Sequence, residues 1–158
     1  MDVLENISHS LDFSRYRVHS LAGAGHLVSA AVVFLLLHLV WAEGGGRKSA
    51  VRRAFGLNMV FTAVTLALSG LVLAAGDAKQ AIANERLFCL AAPLVGASTV
   101  HFVRVFTDGG RRFGQVCWAV WIASGVLGVV GLTTNWVASG TERADFGFFT
   151  KPGVLMPV

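Results

Sequence analysis

Five histidines, His9, His19, His26, His38 and His101, are the residues of this chain best suited to chemistry. His38 stands in "LLLHLVWAEGGGRK", three residues before the end of one apolar run. His101 stands in "STVHFVRVFTDGGRR", five before the end of another. These are the first and third apolar runs, so they cross in the same direction and the two imidazoles reach a similar depth. Two neutral imidazoles facing each other across a helical bundle at one depth can ligate a b-type haem. The plainer reading makes both of them polar residues near the headgroups, where histidine costs little. It carries more weight, because only one such pair exists. His26 falls about 10 Å into the first run by helical rise, while His9 and His19 fall outside the runs or at their edge.

Other chemistry is sparse. There is no phosphate-binding glycine loop, no CxxC, no HExxH and no Ser/His/Asp set in a readable context. The apolar runs hold no carboxylate, whereas ion and proton pathways need ionisable groups within the membrane. We therefore expect no catalytic residues, no enzyme activity and no metal site apart from the haem alternative. Cys89 and Cys117 fall near the starts of the third and fourth runs, which cross in opposite directions, so they should lie in opposite leaflets, roughly 25 Å apart by helical rise. That is too far for a disulfide, and both read as small packing residues.

The elements that position these residues are membrane spans. The 158 residues are 54% hydrophobic and 14% charged, against about a quarter charged in soluble domains, and the mean hydropathy is +0.64. Crossing the hydrocarbon takes about 20 apolar residues as helix. Four stretches qualify, roughly 20–41, 54–75, 87–106 and 114–136, with Arg104 alone inside a boundary and able to snorkel outward. The expected fold class is thus an all-α integral membrane protein, a four-transmembrane-helix bundle, with a surface segment at 1–19 and a tail at 137–158. The first run is too long and too far from the start for a secretory signal.

The basic residues read as a topology signal, not as a nucleic-acid surface, despite a pI of 9.7. Arg47, Lys48, Arg52 and Arg53 flank the first loop, and Arg104, Arg111 and Arg112 the third. The middle loop holds only Lys79 and Arg86, offset by Asp77 and Glu85. The positive-inside rule puts the first and third loops in the cytoplasm and both termini outside it.

Along the spans, Gly23, Gly25, Ser29 and Ala30 offer a close-approach face, as do Gly125, Gly128 and Gly131. Asn58, Thr62, Thr65 and Ser69 are spaced as one stripe of a helix. They either bond to a neighbouring helix or form the wall of a ligand cavity, together with Arg86 and the kink expected at Pro93. The tail turns apolar with Phe146, Phe148, Phe149, Val154, Leu155 and Met156. Such side chains are costly to leave in water, so the tail either docks or leads into a further span. The bilayer, and a protein partner or second copy held through the small-residue faces and the 146–158 tail, are the expected partners.

Two resemblances add to this. "RYRVHSLAG" followed by "HL" resembles one helix of the haem-binding cytochrome b anchors of succinate dehydrogenases, but spans two and four here lack that family's further histidines. From Leu37 to Val158 the order of features resembles the first four helices of the seven-helix sensor module that precedes bacterial histidine kinases and diguanylate cyclases. The matching phrases are "GGGRKSAVRR", the Arg86–Leu87 pair of "ANERLFCLAAPL", Pro93, "VHFVRVFTDGGRR", "GLTTNWVASG" and the tail's approach to "PGVL". The chain has no counterpart of helices five to seven or of an output domain, so kinase activity is not carried over. The resemblance implies a non-enzymatic sensor or accessory module in the bacterial inner membrane, shortened or part of a longer protein. A haem-b or structural anchor subunit is the alternative.

Overall fold

The computed structural model describes residues 21–42, 50–144 and 147–154. The expected surface segment at 1–19, His9, His19, Arg47, Lys48, Phe146, Leu155 and Met156 lie outside the described residues. Four helices are long and apolar enough to cross a membrane. They are α1 (Leu21–Ala42), α2 (Ala50–Ala74), α3 (Ala78–Phe106) and α4 (Arg111–Thr133), followed by strands β1 (Ala138–Ala144) and β2 (Gly147–Pro152). At 1.5 Å per residue the helices are about 33 to 44 Å long.

Three helices begin earlier than hydropathy alone suggests, because polar residues continue their first turns. α3 gains most, starting at Ala78 and not near Leu87. Asp77 caps it, its side chain accepting from the Gln80 amide at 2.9 Å, and Gln80 Oε1 in turn accepts from the Gly76 amide at 3.1 Å. This reciprocal arrangement satisfies donors that the helix start leaves open. At the other end, Asp108 adopts φ 50° and the Gly109 amide reaches back to the Arg104 carbonyl at 2.9 Å. That left-handed stop turns the chain into α4.

Each helix packs mainly on its sequence neighbours, and the contacts are made by small residues. On α1, Gly23 and Ala30 are buried, whereas Gly25 and Ser29 are exposed, so only half of the expected close-approach face is used here. A side chain at Gly70 of α2 would stand 2.9 Å from Leu27 and 3.1 Å from the Gly23 carbonyl. Antiparallel register then sets Ala30 level with Ala63. α3 carries two seams. Asn84, Ala91 and Ser98, seven residues apart, lie toward α2, while Cys89, His101 and Arg104 lie toward α4. On α4 the buried residues Gly114, Cys117, Ser124, Gly128 and Gly131 follow the alternating three-and-four spacing of left-handed helix packing. A Cβ at Gly131 would be 2.6 Å from that of Cys89, and one at Gly128 2.9 Å from the Leu90 carbonyl oxygen. Gly125 faces open space. Large side chains point outward instead, among them Val28, Leu35, Leu36, Ile122 and Val126. That surface suits hydrocarbon.

The tail forms an antiparallel hairpin, with Thr141 opposite Thr150 and Arg143 opposite Phe148. It docks on the chain itself, β1 on α3 and β2 on α2 and α3. Phe148 is buried with Val72, Ala75 and Ala81. Gly147 makes this possible. Its φ is +130°, and any Cβ there would run into the Leu73 carbonyl oxygen at the end of α2. Gly147→Ala should therefore weaken hairpin docking by about 1–3 kcal/mol, the usual cost of such backbone strain. Gly140→Ala, with open space around it, should be silent. Trypsin cleavage after Arg143 reads the difference, and equal rates in both variants would refute the role given to Gly147.

Candidate ligand cavity

The polar stripe of α2 divides into two parts with different tasks. Asn58 reaches across to α3, where its Nδ2 donates to Thr99 Oγ1 at 2.7 Å and Ser98 Oγ at 3.1 Å and lies 3.4 Å from the Val95 carbonyl. Both hydroxyls pass their own protons to that carbonyl, at 2.9 and 2.8 Å. Every donor in the knot is used. Thr62 bonds back to the Asn58 carbonyl at 2.9 Å, and the buried Thr65 hydroxyl has no partner among the described residues. At this end the stripe ties α2 to α3 through Asn58.

Ser69, at the far end of the stripe, does line a cavity. It has a volume of about 170 Å³ and is bounded by Ser69, Val72 and Leu73 of α2, Glu85 and Phe88 of α3, and Phe148 and Phe149 of β2. The hairpin is thus one of its walls. Asn84 Nδ2 donates to the Leu71 carbonyl at 3.2 Å, one of the oxygens left open where α2 ends, and so holds the α2 and α3 walls together. Glu85 is 7% exposed, and its Oε1 accepts from the Cys89 thiol at 3.7 Å. The lining is therefore aromatic and aliphatic, with one carboxyl and one hydroxyl. Apolar cavities of about this size accept benzene-sized molecules.

Of the other expected residues, Arg86 stands outside this cavity and donates to Asn135 Oδ1 at 3.0 Å, tying α3 to the segment before β1. Pro93 lies within α3, away from the cavity. The two histidines proposed as a haem pair are not brought together. His38 is exposed on α1, which packs on α2. His101 is turned toward α4, with Nδ1 3.6 Å from Cys117 Sγ and its ring edge-on to Trp121. Both cysteines are free and buried, as packing residues would be. Among the described residues no group of three or more His, Cys, Asp or Glu side chains is arranged to hold a metal ion.

Glu85, Phe88, Phe148 and Phe149 were not singled out as site residues from sequence. The one available signal was the phenylalanine-rich tail opposite a carboxylate at a span edge. Comparison with protein-family models, curated proteins and solved structures gives no match.

Removing the Asn58 knot should loosen α2 from α3. Interhelical hydrogen bonds among apolar helices contribute roughly 0.6–2 kcal/mol, so Asn58→Ala should lower resistance to SDS unfolding by about that much. A cycle with Thr99→Val should show coupling, since the two side chains share a bond. Additive losses would mean that the knot does not hold the helices.

Proposed function

We propose that this chain is a non-catalytic, multi-pass membrane module of the signalling-sensor type, which takes a small, mainly apolar ligand in the cavity beneath the hairpin. One observation carries the reading. The cavity is shared between the ends of two helices and a separate two-stranded lid, so an occupant touches elements that can shift relative to each other. A ligand with different affinities for the docked and loosened hairpin would shift that equilibrium. α3, packed on α2 along one seam and α4 along the other, would carry the shift across the bundle. The order of features shared with the seven-helix sensor modules supports the same reading and the bacterial inner membrane as its location. The arginines at one end of the bundle support an orientation with that end in the cytoplasm and the hairpin outside.

Indole serves as a probe, being aromatic with one N–H donor. Added at about 100 times its dissociation constant, it should stabilise the protein in lipid nanodiscs by about 2.7 kcal/mol. Ser69→Leu, which fills the cavity, should abolish that gain without lowering the starting stability. Stabilisation that survives Ser69→Leu would place the binding elsewhere and remove the cavity's role.

Orientation is tested separately by cysteine labelling. Ser139→Cys should react with a membrane-impermeant maleimide in intact cells, and Thr107→Cys only after permeabilisation. The reverse pattern would overturn the proposed orientation.

A further inference from the structure

A second cavity, of about 250 Å³, lies at the arginine end of the bundle, between α2 and α4 and over α3. His101 and Arg104 form its floor, and Leu57, Cys117, Trp118 and Trp121 its walls. The Phe61–Trp121 ring contact, with centroids 6.0 Å apart, closes it toward the middle of the bundle. His101 is engaged with Cys117 and Trp121, as described above. Arg104 is held differently. Its guanidinium lies flat on the first turn of α4, where a Cβ at Gly114 would be 3.3 Å from Nη2 and 3.4 Å from both Cζ and Nε. Among the described residues it makes no ion pair and no side-chain hydrogen bond.

A positioned, half-buried cation with aromatic and aliphatic walls is costly to keep without an anion. Arginine's planar fork matches the oxygens of a phosphate group. The start of α4 strengthens the match, because Gly110 provides no side-chain cap and a helix N-terminus favours negative charge. Exposed Arg52, Arg53, Arg111 and Arg112 make the whole end electropositive.

The walls identify the rest of the ligand. Trp118 lines the cavity and is 69% exposed, so the cavity opens on the outer face of α4. From there Trp118, Ile122 and Val126, four residues apart and 69%, 65% and 58% exposed, form an apolar stripe toward the middle of the bundle. A free inorganic anion has no use for that stripe, but an acyl chain does. We propose that this cavity binds one anionic phospholipid, its phosphate on Arg104 and an acyl chain along Trp118, Ile122 and Val126. The cytoplasmic leaflet, which attracts basic segments through its anionic lipids, would supply it, a point that rests on the proposed orientation.

Native mass spectrometry of the detergent-purified full chain, with equal phosphatidylglycerol and phosphatidylcholine, tests this independently of orientation. The wild type should retain phosphatidylglycerol with roughly tenfold preference, because both lipids bring a phosphate but only phosphatidylcholine sets a choline cation against the arginine end, and a tenfold preference is about 1.4 kcal/mol. Arg104→Gln should lose the preference. Arg52→Gln, exposed and outside the cavity, should keep it. Leu57→Trp, which fills the cavity with Arg104 intact, should also lose it, so the outcome does not depend on Arg104→Gln alone. Equal retention of both lipids by the wild type would overturn the proposal, as would a preference that survives Arg104→Gln. Equal loss in Arg52→Gln and Arg104→Gln would reduce the effect to surface charge and overturn it too. Displacement of the lipid by inorganic phosphate would show a simple anion site and overturn the acyl-chain part.

Discussion

Close approach of helix backbones through small residues is the constraint on which the rest of this structure depends. The buried apolar positions are mostly alanines, with Cys89, Cys117, Val72 and Phe148 as the larger exceptions, and Gly70, Gly128 and Gly131 sit where no side chain would fit. Large apolar residues lie outside. Among helices surrounded by hydrocarbon, burial of large apolar side chains gives little drive to associate, so backbone proximity and hydrogen bonds must supply it. The three largest side chains with under 2% exposure, Gln80, Asn84 and Ser98, are accordingly polar and bonded.

The same constraint bears on the two cavities described, which lie toward opposite ends of the bundle. Toward the hairpin end, Phe88, Phe148 and Phe149 replace alanine as wall residues, and large rings meeting across a helix end leave space between them. Toward the arginine end, Trp118 and Trp121 do the same against His101 and Arg104. The first cavity includes the Glu85 carboxyl, and the second the Arg104 guanidinium beside His101 and Cys117.

Span number and approximate position were legible because hydropathy is a one-dimensional property. The earlier starts of α2, α3 and α4 were not, since residues such as Gln80 and Asn84 look like loop until their tertiary partners are known. The sequence signalled that the tail's phenylalanines need cover, and Phe148 finds it on α2 and α3. The strands themselves gave little pattern, because their pairing depends on docking at Gly147. The histidine reading shows the limit most clearly. Depth follows from counting residues, but whether His38 and His101 face each other depends on which helices pack together, and α1 lies against α2 while His101 faces α4. Of the expected cavity residues, Ser69 lines the site, whereas Asn58 bonds across to α3 and Thr62 back to its own helix. Spacing alone gave all four stripe residues the same standing.

The docked hairpin is the feature that makes one end of a helical bundle a closable site. Hydrogen–deuterium exchange of the unmodified chain in lipid nanodiscs measures it directly. If the hairpin is docked, the ladder amides between Thr141 and Lys151 and the amides of the first turns of α3 should exchange far more slowly than unstructured peptide, and should open together. Exchange of the 138–152 segment at the rate of free chain, beside protected helices, would contradict a lidded cavity and with it the sensor reading built on that lid.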